Sequence, residues 1–477
     1  MSRLRITDNH RDFVDVHQES DDRYSHDEID DNVIADLQRI ANVEIKNLHE
    51  NGGNLLFFPQ ELGYYGDDIG EGEIISLRDE AIATGNIMGF VGVNNTQIDI
   101  VSRFARANEE DYFLHYMLQK VFAINLFDIK HTSSEQPIFD FLMYLFPYFL
   151  KKALAQGIFK KYRRFEYNDS TVRGAIDVNR HIRENIPFRG TVSYSTREYS
   201  YDNEVTELVR HTIEYIKTNK MGAAILNSDS VTKGFVSQII QATPTYNVRN
   251  RLKVINQNIR PVRHPYFTEY TTLQKICLQI LRHEAIKYGQ EKDKVYGILF
   301  DGAWLWEEYL DTIFKRMNIN ITHSKNKTGE NGISLYEKGS KCYYPDFYRQ
   351  HPNDKDGFQS FVLDAKYKRL GYGVPVDQQD GKDSINRISI CRDDLFQMIT
   401  YMHVLPAKHC ALIYPIEVSE TNDFNVVKSE PRNLNGFGGE ILGLGIPIAH
   451  EGGYDKFCEK QFCIEEQLRG MVSNWIN

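Results

Sequence analysis

Residues 343 to 368, YYPDFYRQHPNDKDGFQSFVLDAKYK, set two short polar signals, PD and DAK, inside apolar and aromatic runs. HPNDKDG between the runs is rich in turn formers, which predicts an antiparallel hairpin with one acid on each strand. Strand side chains alternate with period two, so Val362, Asp364 and Lys366 share one face and Phe361, Leu363 and Ala365 take the other. With Asp346 on the partner strand, two carboxylates and a backbone carbonyl near Ala365 can hold one hard divalent cation, for which Mg²⁺ is the natural choice. Lys366 would stand beside it, placed to orient or help deprotonate an attacking water and to offset charge on a phosphate. That chemistry is phosphodiester hydrolysis.

Spacing alone does not distinguish this from a surface ion pair, because D/E-x-K also occurs at Glu44 with Lys46, Asp128 with Lys130 and Asp380 with Lys382. The neighbouring elements add weight. In WLWEEYLDTIFKRM, Leu305, Trp306, Tyr309, Leu310, Ile313, Phe314 and Met317 form one helical stripe. Glu307 then falls at the buried margin and Glu308 in solvent, so Glu307 is the better third acid. Downstream, DDLFQMITYM puts Gln397 and Tyr401 on one helical face, able to contact phosphate or metal-bound water, or else merely exposed. ALIYPIEV, 411 to 418, supplies a core strand, giving a compact α/β unit.

Around that unit the chain changes character twice. Residues 33 to 50 read as a helix, and the glycine-punctuated stretch that follows reads as short strands. Long apolar-periodic segments, DYFLHYMLQKVFAINLF and FLKKALAQGIFKKY, read as helices from about 109, and NEVTELVRHTIEYIKTN as another. The expected division is therefore disorder over 1–30, a β-rich partner-binding domain at 31–108, a mainly helical middle at 109–269, and an α/β (α+β) domain at 270–477. The first 30 residues are acid-rich with no apolar core, which excludes a secretory signal.

A composition of 41% hydrophobic and 26% charged residues is that of a soluble globular protein. The longest apolar run, IFDFLMYLFPYFL, is interrupted by Asp140 and Pro147 and is too short to span a bilayer, so it reads as a buried helix. Six cysteines at 277, 342, 391, 410, 458 and 463 form no C-x-x-C pair, which argues against a disulfide framework or zinc ribbon and for a cytoplasmic location. A net charge of −10 disfavours general attraction to nucleic acid, so any DNA contact uses a patch. FKKYRRF at 159 to 165 and VRNRLKVINQNIRPVR at 248 to 263 are the candidates, each equally readable as a solvated face. No G-x-x-x-x-G-K-[ST] occurs, so no nucleotide is expected in a P-loop of this chain.

The order of parts, a helix acid (Glu307), PD (Asp346), D-x-K (Asp364, Ala365, Lys366) and Q-x-x-x-Y (Gln397, Tyr401), resembles the PD-(D/E)XK nuclease superfamily, the last element its RecB-like members. More closely, the chain resembles the McrC family, nuclease subunits of modified-cytosine restriction systems, including LlaJI-type relatives. The likeness rests on IDIVSRF, RGAIDVNRHIREN, DNEVTELVRHTIEYI, LFDGAWLWEEYL, YYPDF, DAKYKR, FQMITYM and LIYP, and runs from about residue 95 to the end. It implies a Mg²⁺-dependent endonuclease with Asp346, Asp364, Lys366, Glu307, Gln397 and Tyr401 as site residues, the metal held by Asp346, Asp364, Ala365 and Glu307. It also implies double-stranded DNA as substrate, no membrane, a McrB-like AAA+ GTPase hexamer as partner, and pairing of two nuclease copies for double-strand cleavage. A RecB-like repair nuclease and a non-catalytic GTPase activator are the alternatives. Keeping all four of Glu307, Asp346, Asp364 and Lys366 counts against the second.

Overall fold

The computed structural model describes residues 2–17, 23–27, 29–52, 54–59, 72–94, 96–105, 110–122, 137–219, 222–287, 295–317, 319–326, 328–338, 341–350, 359–368, 390–417, 424–436, 438–449 and 453–475. The chain divides into two compact units. One joins residues 1–123 to 293–477, and the other is the stretch 124–292 between them.

The first unit contains two large sheets. The first has strand order Tyr24–His26, Ser2–Thr7, Thr96–Val101, Ile87–Val93, Val295–Asp301, Asn54–Phe58. Its apolar residues, among them Leu4, Ile6, Val91, Ile98, Ile100 and Leu299, form one core with helix residues Val33, Leu37 and Ile45. Two expectations need correction here. The start of the chain is not disordered over its described residues: Ser2–Thr7 alternates buried Leu4 and Ile6 with outward polar residues and lies parallel to Thr96–Val101. Nor do residues 33 to 50 make one helix. Asp31–Gln38 and Ile45–Gly52 are separated at Asn42, which adopts φ 57° and exchanges side-chain hydrogen bonds with the backbone of Leu77.

The expected boundary at 270 also moves. Helix Tyr270–Lys287 belongs to the second unit, and strand Val295–Asp301 is an interior strand of the N-terminal sheet, antiparallel to Ile87–Val93. Glycines permit that close pairing. A Cβ at Gly89 would meet Ile298 O at 2.2 Å and one at Gly297 would meet Phe90 O at 2.1 Å, and both have positive φ. The N-terminal segments and the C-terminal third are thus one body, because a strand from after residue 293 completes a sheet begun at residue 2.

The second sheet has order Thr322–His323, Phe347–Arg349, Phe361–Ala365, His409–Glu417, Glu440–Ile448, Val427–Lys428, with Arg432–Asn433 also on Glu440–Ile448. Its three central strands are parallel and buried on both faces, which explains their nearly unbroken apolar sequences. Pro415 is tolerated inside His409–Glu417 because the neighbouring strand ends at Ala365, opposite Ile413, so no ladder bond is forfeited on that side.

The second unit is helical, with Pro137–Ala155, Glu204–Thr218, Ser230–Ala242 and Tyr270–Lys287, and it carries a three-stranded sheet. The helix expected through GIFKKY stops at Ala155. Gly157 takes φ 94°, its N–H bonds to Leu154 O, and FKKYRRF enters strand Lys161–Asp169 instead. Asn203 closes the start of Glu204–Thr218 with a capping box to Thr206. No helix among the described residues is long and apolar enough to cross a membrane.

Candidate active site

The PD strand, Phe347–Arg349, pairs antiparallel with the DAK strand, Phe361–Ala365, with Phe347 opposite Leu363; the connecting HPNDKDG lies outside the described residues. This register brings Asp346 to the carboxyl end of the DAK strand, where its Oδ2 accepts from the Ala365 N–H at 2.6 Å. The Lys366 N–H donates to Ile413 O at 2.9 Å, so the trans peptide turns the Ala365 carbonyl away from the 409–417 strand and toward the Asp346 side. Asp364 is 2% exposed, its Oδ2 buried and 2.7 Å from the Lys366 ammonium, an ion pair outside hydrogen-bond alignment. Lys366 Nζ also donates to Gln397 Oε1 at 3.1 Å, and Gln397 Nε2 donates to the Tyr401 hydroxyl at 3.1 Å. Both partners stand on helix Arg392–Val404, one turn apart.

Glu307 comes from helix Gly302–Phe314, begun by Asp301, whose side chain accepts from the Ala303 N–H. The apolar stripe is buried from Leu305 to Phe314, and Trp306 Nε1 donates to Ile413 O at 3.3 Å, tying this helix to the strand beside DAK. Glu308 is not in solvent as the helical projection suggested. Its side chain is 17% exposed and bonds Lys325 at 2.9 Å, because the segment after strand Thr322–His323 covers that side of the helix. Glu307 Oε1 instead meets His323 Nε2 at 2.7 Å, and His323 Nδ1 lies 3.4 Å from Asp311.

The electrostatics join Glu307, Asp346 and Asp364. Burial raises the pKa of each; Asp364 and Glu307 push Asp346 further, while His323 opposes the rise at Glu307 and Lys366 that at Asp364. Three carboxylates made costly to ionise together form an all-oxygen donor set of the kind a hard divalent cation relieves, so the residues fit Mg²⁺. Burial disfavours the charged form of Lys366, but Asp364, Asp346 and Asp394 outweigh it and push its pKa above the usual lysine value.

Sequence reasoning missed three groups. His323 carries no motif signal, because its place depends on a two-residue strand pairing with the PD strand. Asp394 lies 3.6 Å from Lys366 Nζ and 2.9 Å from Lys368 Nζ, and its position in DDLFQMITYM was the available signal. Arg103, from the IDIVSRF segment, pairs with buried Asp8, donates to Tyr367 O at 3.2 Å and lies 4.5 Å from the centre of the Tyr367 ring. Through it the first sheet grips the residue after Lys366. Among the described residues, Glu308, Asp311 and His323, rather than Glu307, Asp346 and Asp364, are the three whose donor atoms all lie within 4.8 Å of one another, but Lys325, Lys315 and Glu307 already engage them.

In the second unit, the KYRRF part of FKKYRRF begins the exposed strand Lys161–Asp169, paired along Val192–Ser200, while Phe159 is buried. Tyr162 and Tyr199 pack ring to ring at 4.8 Å, and Arg164, Arg173 and Arg183 are largely exposed. Beside them Val178, Ile182, Ile186 and Phe188 are 53 to 69% exposed. In the other basic segment, Val248, Leu252 and Ile259 are exposed.

A family model described as McrBC 5-methylcytosine restriction system component matches residues 82–415. Among solved structures the chain is similar to one from a Thermococcus gammatolerans half-complex of McrB AAA+ hexamers with bound McrC, at 14% identity and TM-score 0.48, covering 98% of this chain and 99% of that one. It is also similar to a chain of the Thermococcus gammatolerans McrBC complex, at 13% identity and TM-score 0.35, covering 67% and 89%. No curated protein matches.

Proposed function

The chain belongs to the McrBC 5-methylcytosine restriction system component family, and on that premise we propose that it is the Mg²⁺-dependent DNA endonuclease subunit of a GTP-driven restriction complex. The observation that carries this reading is the convergence of Asp346, Asp364, Lys366, Gln397 and Tyr401 at the end of one buried strand. The second sheet and its flanking helices are then a PD-(D/E)XK core.

Asp346, Asp364, Glu307 and the Ala365 carbonyl would hold Mg²⁺, which when bound supplies Lewis-acid stabilisation of phosphate charge. Lys366 orients the water that attacks phosphorus and sets its ammonium against the negative charge that grows there. Gln397 fixes Lys366 Nζ, and Tyr401 fixes Gln397. Water adds to phosphorus, the bond to the leaving sugar oxygen breaks, and that oxygen takes a proton. One such site cuts one strand, so a duplex break uses a second copy of opposite polarity.

The partner is an AAA+ GTPase hexamer of the McrB type, which supplies the nucleotide chemistry that this sequence, lacking a P-loop, does not encode. It docks on the region before 270, where the exposed strand pair and Val178, Ile182, Ile186 and Phe188 offer apolar and basic contacts. The complex works on cytoplasmic DNA. Full-length protein with Mg²⁺ and duplex DNA tests this: cutting is expected only with the GTPase and GTP present, and efficient double-strand cutting without them would favour an autonomous nuclease.

A further inference from the structure

The groups around Glu307 include an imidazole to which the reading above gives no role. Strand Thr322–His323 pairs with the PD strand, His323 opposite Phe347, and the next N–H, from Ser324, donates to Asp346 O at 3.0 Å. The pairing carries His323 to the edge of the carboxylate cluster. Its side chain is 9% exposed, and its ring packs on the Phe347 ring at 4.8 Å. Both ring nitrogens face carboxylates one helical turn apart: Nε2 lies 2.7 Å from Glu307 Oε1 and Nδ1 3.4 Å from Asp311 Oδ2. Lys315 in turn pairs with Asp311, and Lys325 holds Glu308 on the adjoining position.

We propose that His323 is a positioning residue that fixes the Glu307 carboxylate for the divalent cation, with Asp311 as its buttress. This rests on the metal site proposed above. A glutamate has three side-chain torsions to freeze before it can serve as a ligand, and a helix fixes only where they start. Held at Oε1 by a ring that is itself clamped between Asp311 and Phe347, Glu307 keeps Oε2 as the oxygen to offer toward Asp346 and Asp364. A surface ion pair would need neither the second carboxylate nor the ring stacking. Losing the hydrogen-bond partner of a ligating group typically weakens metal binding about 10- to 100-fold.

The test is Mn²⁺ binding to full-length protein, read by electron paramagnetic resonance titration without DNA or GTPase, so that turnover plays no part. His323→Ala is expected to weaken Mn²⁺ by about 10- to 100-fold. His323→Gln, whose amide can donate from nearly the Nε2 position, should restore affinity to within a few-fold, a rescue that loss of packing alone would not give. In cleavage assays with the partner, His323→Ala should raise the Mg²⁺ concentration for half-maximal rate and recover most of the rate at saturation. If His323→Ala does not fold, Asp311→Asn replaces it: it keeps the Nε2 contact, loses the buttress, and should weaken Mn²⁺ a few-fold. Wild-type affinity in His323→Ala, or in Asp311→Asn where that stands in, overturns the inference, provided Asp364→Asn in the same titration loses binding. Unchanged affinity in Asp364→Asn would instead refute the metal site itself.

Discussion

The carboxylate cluster of the first unit and the exposed strand pair of the second hold comparable numbers of charges arranged in opposite ways. Around buried Asp364 the charges are half-buried to buried and aimed at one another, so that loss of solvent raises three acid pKa values together. Along Lys161–Asp169 and Val192–Ser200 the charges point into solvent, interleaved with exposed Tyr162 and Tyr199, and Phe188 is exposed shortly before the second strand. Desolvated charge that converges on a point is suited to chemistry at one atom, whereas solvated charge spread among apolar side chains is suited to covering a partner. The two regions should therefore fail separately when mutated.

The largest separation is expected at the DAK strand. Asp364→Ala or Lys366→Ala should lower DNA cleavage by on the order of 10³-fold, the several kcal/mol that a metal ligand or its charged neighbour supplies, while leaving partner binding intact in a pull-down. Next is the contrast on helix Gly302–Phe314. Glu307→Gln should cost about 10²-fold in cleavage. Glu308→Gln, which loses only a pair with Lys325, should stay within a few-fold. Equal effects would remove Glu307 from the site.

That contrast also marks where the sequence was legible. Strand alternation put Asp364 and Lys366 on one face, as the 2.7 Å pair has it, whereas helical projection set Glu307 apart from Glu308 by burial although their side chains are 22% and 17% exposed. Period-based reasoning works where an element is regular and long enough to show its period. It could not place Glu308, since the cover comes from a separate segment bearing Lys325, and it could not find His323, which reaches the cluster through a strand of two residues. The interior place of Val295–Asp301 in a sheet begun at residue 2 was hidden for a related reason: strand partners far apart in sequence leave no local signal. Gly89 and Gly297 hint at a close approach but do not name the partner.

Two smaller effects sharpen the other side of the comparison. Ile182→Ser with Phe188→Ser, both exposed, should leave folding and Mn²⁺ binding unchanged but weaken affinity for the GTPase about 30-fold, as loss of an apolar anchor worth roughly 2 kcal/mol would. Elsewhere in the same unit, His211 is buried beside Arg251 and Arg210. Burial first, then those guanidinium charges, lowers its pKa to about 4. A base with a depressed folded pKa binds its proton more readily when unfolded, so stability is full above its ordinary pKa of 6.5 and falls as pH drops toward about 4. Denaturation at pH 7.5 and pH 5 should differ by on the order of 1 to 2 kcal/mol from this group, a difference that His211→Gln reduces.

The division of labour is tested most directly by reading GTP turnover and DNA strand breaks in one reaction. Wild type, Asp364→Asn and the Ile182→Ser, Phe188→Ser double variant are each mixed, as full-length chains, with the AAA+ GTPase, GTP, Mg²⁺ and duplex DNA. The account predicts that wild type stimulates GTP turnover and cuts, that Asp364→Asn stimulates without cutting, and that the double variant at limiting concentration does neither while still binding Mn²⁺. Strand breaks from Asp364→Asn at the wild-type rate, or full stimulation by the double variant, would contradict it.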